Sequence, residues 1–260
     1  MNELSNDSLI DAFEDVLTTT LHLVRGLTPQ DAALATDCPG WTVHDQLSHM
    51  VGLEQVLAGS PPPTIVVPDL PHVHGDFGRM MEAISQVRRD LPLAAIADEL
   101  AGLLPRRMQQ LRDAAAQGDP DVMGPMGPRK LSASMPIRVF DLWAHEQDIR
   151  RALGRPARID CAAARVALHR TLLAWEGVLT GAVGDLSGRL EVAVTGPHAT
   201  ARTYTFGSGD GGTAHLRSDA GALTWLGCGR GRPEALGDAI AFDGDADMIA
   251  AVGPALGFTP

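Results

Sequence analysis

From Asp7 to about Leu27, apolar residues return every three or four positions, at Ile10, Phe13, Val16, Leu17, Leu21 and Val24, which marks one face of a helix. The stretch TDCPGWTVHDQLSHMVGLEQVLAGSPPP predicts a second helix. It offers a Pro-Gly turn, Thr42 as N-cap with Asp45 three residues on, and apolar Val43, Leu47, Met50, Val51 and Leu53, before Gly59 and three prolines stop it. GDFGRMMEAISQVRRD and PLAAIADELAGLLPRRMQQLRDAAAQ predict two more, the latter opening at Pro92 and crossing a possible kink at Pro105. GDPDVMGPMGPRKLSASMP, with prolines at 120, 125, 128 and 136 and three glycines, reads as an irregular connection. Helical spacing resumes from Pro136 through IRVFDLWAHEQDIRRALGRP, with Gly154 as a stop, and again in CAAARVALHRTLLAWEGVL.

Beyond Gly188 the period changes. GRLEVAVTG alternates Leu190, Val192 and Val194 as a half-buried strand does, ARTYTFGSG repeats the period with Tyr204 and Phe206, and TAHLRSD offers a third strand. A short helix in DAGALTWLGCGRG, a strand in DAIAFDGD and a closing helix in DADMIAAVGPAL follow. The pattern therefore predicts a two-domain α+β protein, a helical bundle over residues 1–184 and a small α+β domain over 185–260, with no internal repeat.

Composition narrows the possible partners. At 260 residues, 45% hydrophobic and 20% charged, the chain is long and apolar enough to bury a core. A formal net charge of −11, one Tyr, six Phe and four Trp disfavour nucleic acid and anionic lipid. Three scattered cysteines, Cys38, Cys161 and Cys228, form neither a disulfide framework nor a CxxC motif, which fits a reducing compartment. The acidic start MNELSNDSLIDAFEDVL lacks a basic-then-apolar leader, and no run nears the roughly 18 apolar residues of a membrane span. A cytoplasmic location is expected.

The chemistry concentrates in FDLWAHEQDIR. Asp141 and His145, four apart, share one helix face and can address one ion from a rigid backbone, and the inward face of the second helix supplies His49. Two histidines and a carboxylate with an open position form the ligand set of a catalytic divalent metal, most often zinc. The same spacing also suits a helix-surface ion pair. Glu146 and Asp148 are expected to pair with Arg138, Arg150 or Arg151, although Asp148, three after His145, can also bond near the site. Glu54 is the best spare carboxylate. His44 should face away from His49, His72 and His74 lie in a proline-rich loop, and Trp41 and Trp143 are expected to pack within the bundle. No G-x-S-x-G nucleophile motif occurs, and GSGDGG, without the lysine of a phosphate-binding loop, reads as a hairpin turn.

LATDCPGWTVHDQLSHMVGLEQVLAG and RVFDLWAHEQDIRRALGRP resemble the two metal-binding helices of the mycothiol-dependent maleylpyruvate isomerase family, and WLGCGRGRP followed by Gly244-Asp245 resembles its C-terminal segment. The resemblance implies a DinB-like four-helix bundle with extra helices, followed by the small α+β domain. It implies zinc on His49, His145 and the acid preceding it by four, which is Asp141 here where the family carries Glu. That leaves Asp141 either ligating directly or orienting a histidine. It further implies that Arg230, with Arg232 as the alternative, recognises an anionic substrate or the carboxylate of a thiol cofactor such as mycothiol. The expected activity is metal-dependent, thiol-dependent isomerisation or S-transfer on a small unsaturated or electrophilic acid. A metal- or ligand-binding protein without turnover, and a metal hydrolase needing no thiol, are the rivals. Cys228 is expected to be a small buried hydrophobe.

Overall fold

The computed structural model describes residues 4–259. By its contacts the chain divides into two compact units, Met1–Ala157 and Arg158–Pro260.

The first unit holds α1 (Asn6–Val24), α2 (Pro29–Ala32), α3 (Val43–Leu57), α4 (Gly75–Gln86), α5 (Leu93–Ala116), a hairpin of β1 (Asp121–Gly124) and β2 (Gly127–Lys130), and α6 (Leu131–Ala152). Ser5 caps α1, and the stripe expected from the sequence, Ile10, Phe13, Val16, Leu17, Leu21 and Val24, is buried. α3 begins where Thr42 and Asp45 form a reciprocal capping box, each accepting from the other's backbone N–H at 3.3 and 3.0 Å. α1 and α3 each pack against both α5 and α6, and α3 also carries α4, so most of its residues are buried.

The segment expected to be irregular is ordered. β1 and β2 pair antiparallel from Asp121↔Lys130 to Gly124↔Gly127 around a two-residue loop, Pro125-Met126. A two-stranded ribbon is all edge, so Pro128 takes no ladder bond that a central strand would need. α6 then begins at Leu131, five residues before Pro136, which lies inside it. Its start is held from a distance: Asp119, before the hairpin, accepts from the Ser132 N–H and hydroxyl, both at 2.8 Å. α5 runs through Pro105, whose ring is on the exposed side, where water can take up the freed carbonyl.

The second unit contains α7 (Ala162–Val183), β3 (Gly188–Thr195), β4 (Thr200–Phe206), β5 (Gly212–Asp219), α8 (Ala220–Gly227), β6 (Ile240–Gly244) and α9 (Ala246–Val252), with 3-10 turns at Pro233–Ala239 and Gly253–Ala255. The sheet order is β4-β3-β5-β6, with β3 and β5 parallel and the other pairs antiparallel. Leu190, Val192 and Val194 of β3, Tyr204 and Phe206 of β4, and Ala214 and Leu216 of β5 share one buried core with Leu168, Leu172, Trp175 and Leu179 of α7. Trp175 Nε1 donates to the Leu256 carbonyl and the Tyr204 hydroxyl to the Leu172 carbonyl, both at 2.6 Å. A helices-then-strands reading groups α7 with the bundle before it; by contacts it goes with the sheet after it.

GSGDGG is not a hairpin turn. β4 and β5 lie on opposite sides of β3, so residues 207–212 must cross the start of that strand. The crossing is tight enough that a Cβ on Gly211 would come 1.8 Å from the Ser187 carbonyl oxygen, which only glycine avoids.

Candidate metal centre

α3 and α6 pack side by side and turn His49, Asp141 and His145 toward one another. Arg138, Asp141 and His145 fall at i, i+3 and i+7, a single stripe of α6 facing α3. One ligand atom from each of His49, Asp141 and His145 lies within 4.8 Å of the other two. His49 Nε2 is 3.5 Å from Asp141 Oδ2, and His145 Nε2 is 3.7 Å from Asp141 Oδ1. Ligands about 2.0–2.2 Å from a tetrahedral ion stand about 3.3–3.6 Å apart, so the observed gaps need little adjustment to hold one.

The donor chemistry fits as well. The imidazoles of His49 and His145 are 3% and 8% exposed, whereas the Asp141 side chain keeps 26%, so solvent reaches the cluster on the carboxylate side. Both ring nitrogens of His49 and Nδ1 of His145 are buried without a hydrogen bond. Buried polar atoms are rarely left so unless something binds them; of these three, His49 Nε2, which faces Asp141, is the one that a divalent ion shared with the carboxylate and His145 would satisfy.

Charge is arranged around the trio. Burial opposes ionisation of Asp141, yet the Arg138 guanidinium and the two imidazoles hold its carboxyl well below the usual carboxylate range. Burial pushes the His49 imidazole below its ordinary value against the pull of Asp141, favouring the neutral form that ligates. Burial works the same way on His145, but the nearby Asp141 and Asp148 carboxylates outweigh it and raise the value. Asp148 Oδ2 lies 3.5 Å from His145 Nδ1 and 3.4 Å from Gln46 Nε2, which places it beside the cluster. A carboxylate beside Nδ1 favours the tautomer that leaves Nε2 free to face an ion. Glu146 pairs with Arg150 at 2.7 Å, as its spacing suggests.

Two neighbours were not visible as site residues in the sequence. Trp41 packs its indole against both imidazoles, with centroids 4.9 Å from the His49 ring and 5.8 Å from the His145 ring. The indole is fixed by its Nε1–H, which donates to buried Glu82 at 2.8 Å, itself paired with Arg89. Arg138 is the other: its Nη1 donates to Asp141 Oδ2 at 2.9 Å, and its Nε donates to Glu54 at 2.8 Å. Trp41 stands immediately before the N-cap Thr42, and Arg138 is three before Asp141, but neither spacing by itself says what the side chain touches. Among the other histidines, His44 bonds the Leu91 carbonyl and His72 approaches Glu82. Trp143 is a core residue and Cys228 is buried.

Arg230 and Arg232 belong to the second unit. Arg230 follows α8, is half-buried, and donates through Nη1 to the Cys228 carbonyl at 3.2 Å; Arg232 is exposed. No helix of the described residues is long and apolar enough to cross a membrane.

The fold is similar to that in the crystal structure of the mycothiol-dependent maleylpyruvate isomerase, with a TM-score of 0.63, 15% identity, and 92% of this chain and 93% of that chain covered. A mutant of that enzyme matches with the same TM-score and coverage at 14% identity. A search of curated proteins found no match. The model of the mycothiol maleylpyruvate isomerase N-terminal domain matches residues 13–150, which takes in α3 and nearly all of α6 with His49, Asp141 and His145. The chain is therefore a member of the mycothiol maleylpyruvate isomerase family.

Proposed function

We propose that the protein is a metal-dependent, thiol-dependent enzyme, with a divalent ion, zinc by preference, on His49, Asp141 and His145 and a low-molecular-weight thiol such as mycothiol as cofactor. The observation that carries this reading is the trio itself: three ligand atoms within 4.8 Å of one another, two of them on buried imidazoles, with His49 Nε2 left without a hydrogen bond. α1, α3, α5 and α6 are read as the four helices of a DinB-like bundle.

A bound divalent ion lowers the pKa of a thiol beside it, so a nucleophilic sulfur is present at neutral pH without a separate base. The protein's own groups do the rest. Trp41 packs against the imidazoles, Asp148 orients His145, and Arg138 holds Asp141 in place. Arg230, with Arg232 as the alternative, is assigned to the carboxylate of the substrate or cofactor, which a guanidinium fork binds bidentately. In an isomerisation the thiolate adds to one carbon of the cis double bond and the π electrons move onto the adjoining carbonyl. Rotation about the resulting single bond and expulsion of the thiolate then give the trans acid with the thiol regenerated. In an S-transfer the same sulfur displaces a leaving group or adds to the electrophile and remains bonded to it.

Elemental analysis of the purified protein tests the site. Wild type is expected to hold about one divalent ion per chain, and His49→Ala and His145→Ala to lose it. Arg230→Ala should keep the ion and lose turnover of maleylpyruvate with mycothiol. Unchanged metal content in both histidine variants removes the site, and turnover in thiol-free buffer replaces the thiol mechanism with hydrolysis.

A further inference from the structure

Three buried charged side chains run in one line from α5 through α3 to α6 and end on the partly exposed Asp141. Arg107 of α5 donates through Nε to Glu54 Oε2 at 2.7 Å. Glu54 of α3 accepts on its other oxygen from Arg138 Nε at 2.8 Å, with Arg138 Nη2 2.7 Å from the same atom. Arg138 of α6 then donates through Nη1 to Asp141 Oδ2 at 2.9 Å. Glu54 is fully buried, Arg138 1% exposed and Arg107 7%.

A buried ion pair of this kind is a poor way to gain stability, because apolar residues of the same volume usually do as well or better. What it provides is direction. A guanidinium is planar with donors at fixed angles, so once Glu54 engages one edge of Arg138, the Nη1 that meets Asp141 has little freedom. Asp141 is the most exposed member of the trio, and its side chain is short, so without a partner its carboxylate has rotamers that point to solvent. Arg138 donates to Oδ2, the oxygen that also lies 3.5 Å from His49 Nε2, and leaves Oδ1, 3.7 Å from His145 Nε2, without a guanidinium partner.

We infer that the Arg107–Glu54–Arg138 line is a positioning strut that sets Asp141 as a metal ligand through Oδ1, so that metal affinity depends on residues of α3 and α5 that touch no ligand atom of the ion. The inference rests on the metal reading proposed above. Arg138 and Glu54 are positioning residues, acting through Asp141.

The test measures Zn²⁺ affinity of the apo-protein by competition with a chromophoric chelator, together with the visible absorption of the Co²⁺-loaded protein. Arg138→Lys keeps the charge and removes the fork; it is expected to bind Zn²⁺ about 10- to 100-fold more weakly, the usual effect of removing a group that orients a ligand, and to shift the Co²⁺ bands. Combined with Asp141→Ala, it should add no further loss, because the strut has then nothing to position. Arg107→Lys, at the far end, should give a smaller loss in the same direction. Wild-type affinity and an unchanged Co²⁺ spectrum in both lysine variants, or in Arg107→Lys alone should Arg138→Lys fail to fold, overturn the strut. Additive losses in the double variant overturn it too. A wild type that binds neither ion sinks the metal reading instead, so the two failures are told apart.

Discussion

Glu54 shows what a single side chain costs when it is placed between two guanidiniums. Burial opposes its charge, yet Arg138 and Arg107 hold its carboxyl below the ordinary value. The folded state therefore takes up this proton at lower pH than the unfolded chain does. The stabilisation is fully present above about pH 4.3, the unfolded value, and is lost as pH falls through the folded one. Glu54→Gln leaves both arginines with an uncharged partner and is expected to cost about 3–5 kcal/mol at neutral pH. Urea midpoints followed from pH 6 to pH 3 should also fall less steeply in the variant than in wild type; parallel curves would show that Glu54 is not ionised in the fold. At this scale the sequence made the trio legible, because the i, i+4 spacing places Asp141 and His145 on one face regardless of what they meet. It gave Arg138 as a partner for Glu146 or Asp148 and Trp41 as a packing residue, and missed their places beside the trio, since the partners that fix them, Glu54 and Glu82, are 84 and 41 residues away in the chain.

The elements were mostly written in periodicity and caps. Thr42 and Asp45 mark the start of α3 because a capping box needs only neighbours in sequence, and the alternation of β3 needs only its own side chains. α6 escaped at its start because its cap, Asp119, comes from across a hairpin. Close packing of elements is likewise invisible from one of them alone. A Cβ on Gly52 of α3 would lie 2.5 Å from Ile84 Cγ2 of α4 and 2.6 Å from an Arg88 nitrogen. Gly52→Ala should by helix propensity gain about 1 kcal/mol. The contact with buried Ile84 reverses the sign, and a net loss of about 1–3 kcal/mol is expected from overpacking. Chemical denaturation of the variant decides between the two; a raised midpoint would mean that α4 gives way freely.

For the whole molecule, the informative boundary is the one between the units. The core of the second unit runs from Leu168 to Leu256 and draws on α7 as well as the sheet and the last helices. Residues 158–260 expressed alone are therefore expected to fold cooperatively, as followed by far-ultraviolet circular dichroism on thermal melting. A fragment beginning at residue 185 lacks Leu168, Leu172, Trp175 and Leu179 and should not, since it loses the apolar layer covering one sheet face. Cooperative melting of the shorter fragment would move the boundary back to where the helix-to-strand change in pattern puts it.

What the sequence determined by itself was whatever depends on separations of a few residues: helix faces, caps, strand alternation, and the pairing of Asp141 with His145 on one turn-and-turn stripe. Family membership belongs with these, because it rides on the same local motifs. Only the tertiary structure decided that α7 covers the sheet, that GSGDGG crosses a strand end, and that His49, Asp141 and His145 meet beside Trp41 and Arg138. The reason is physical. Burial, ion pairing and close approach are properties of residues brought together by packing, and packing couples positions that no periodicity along the chain relates.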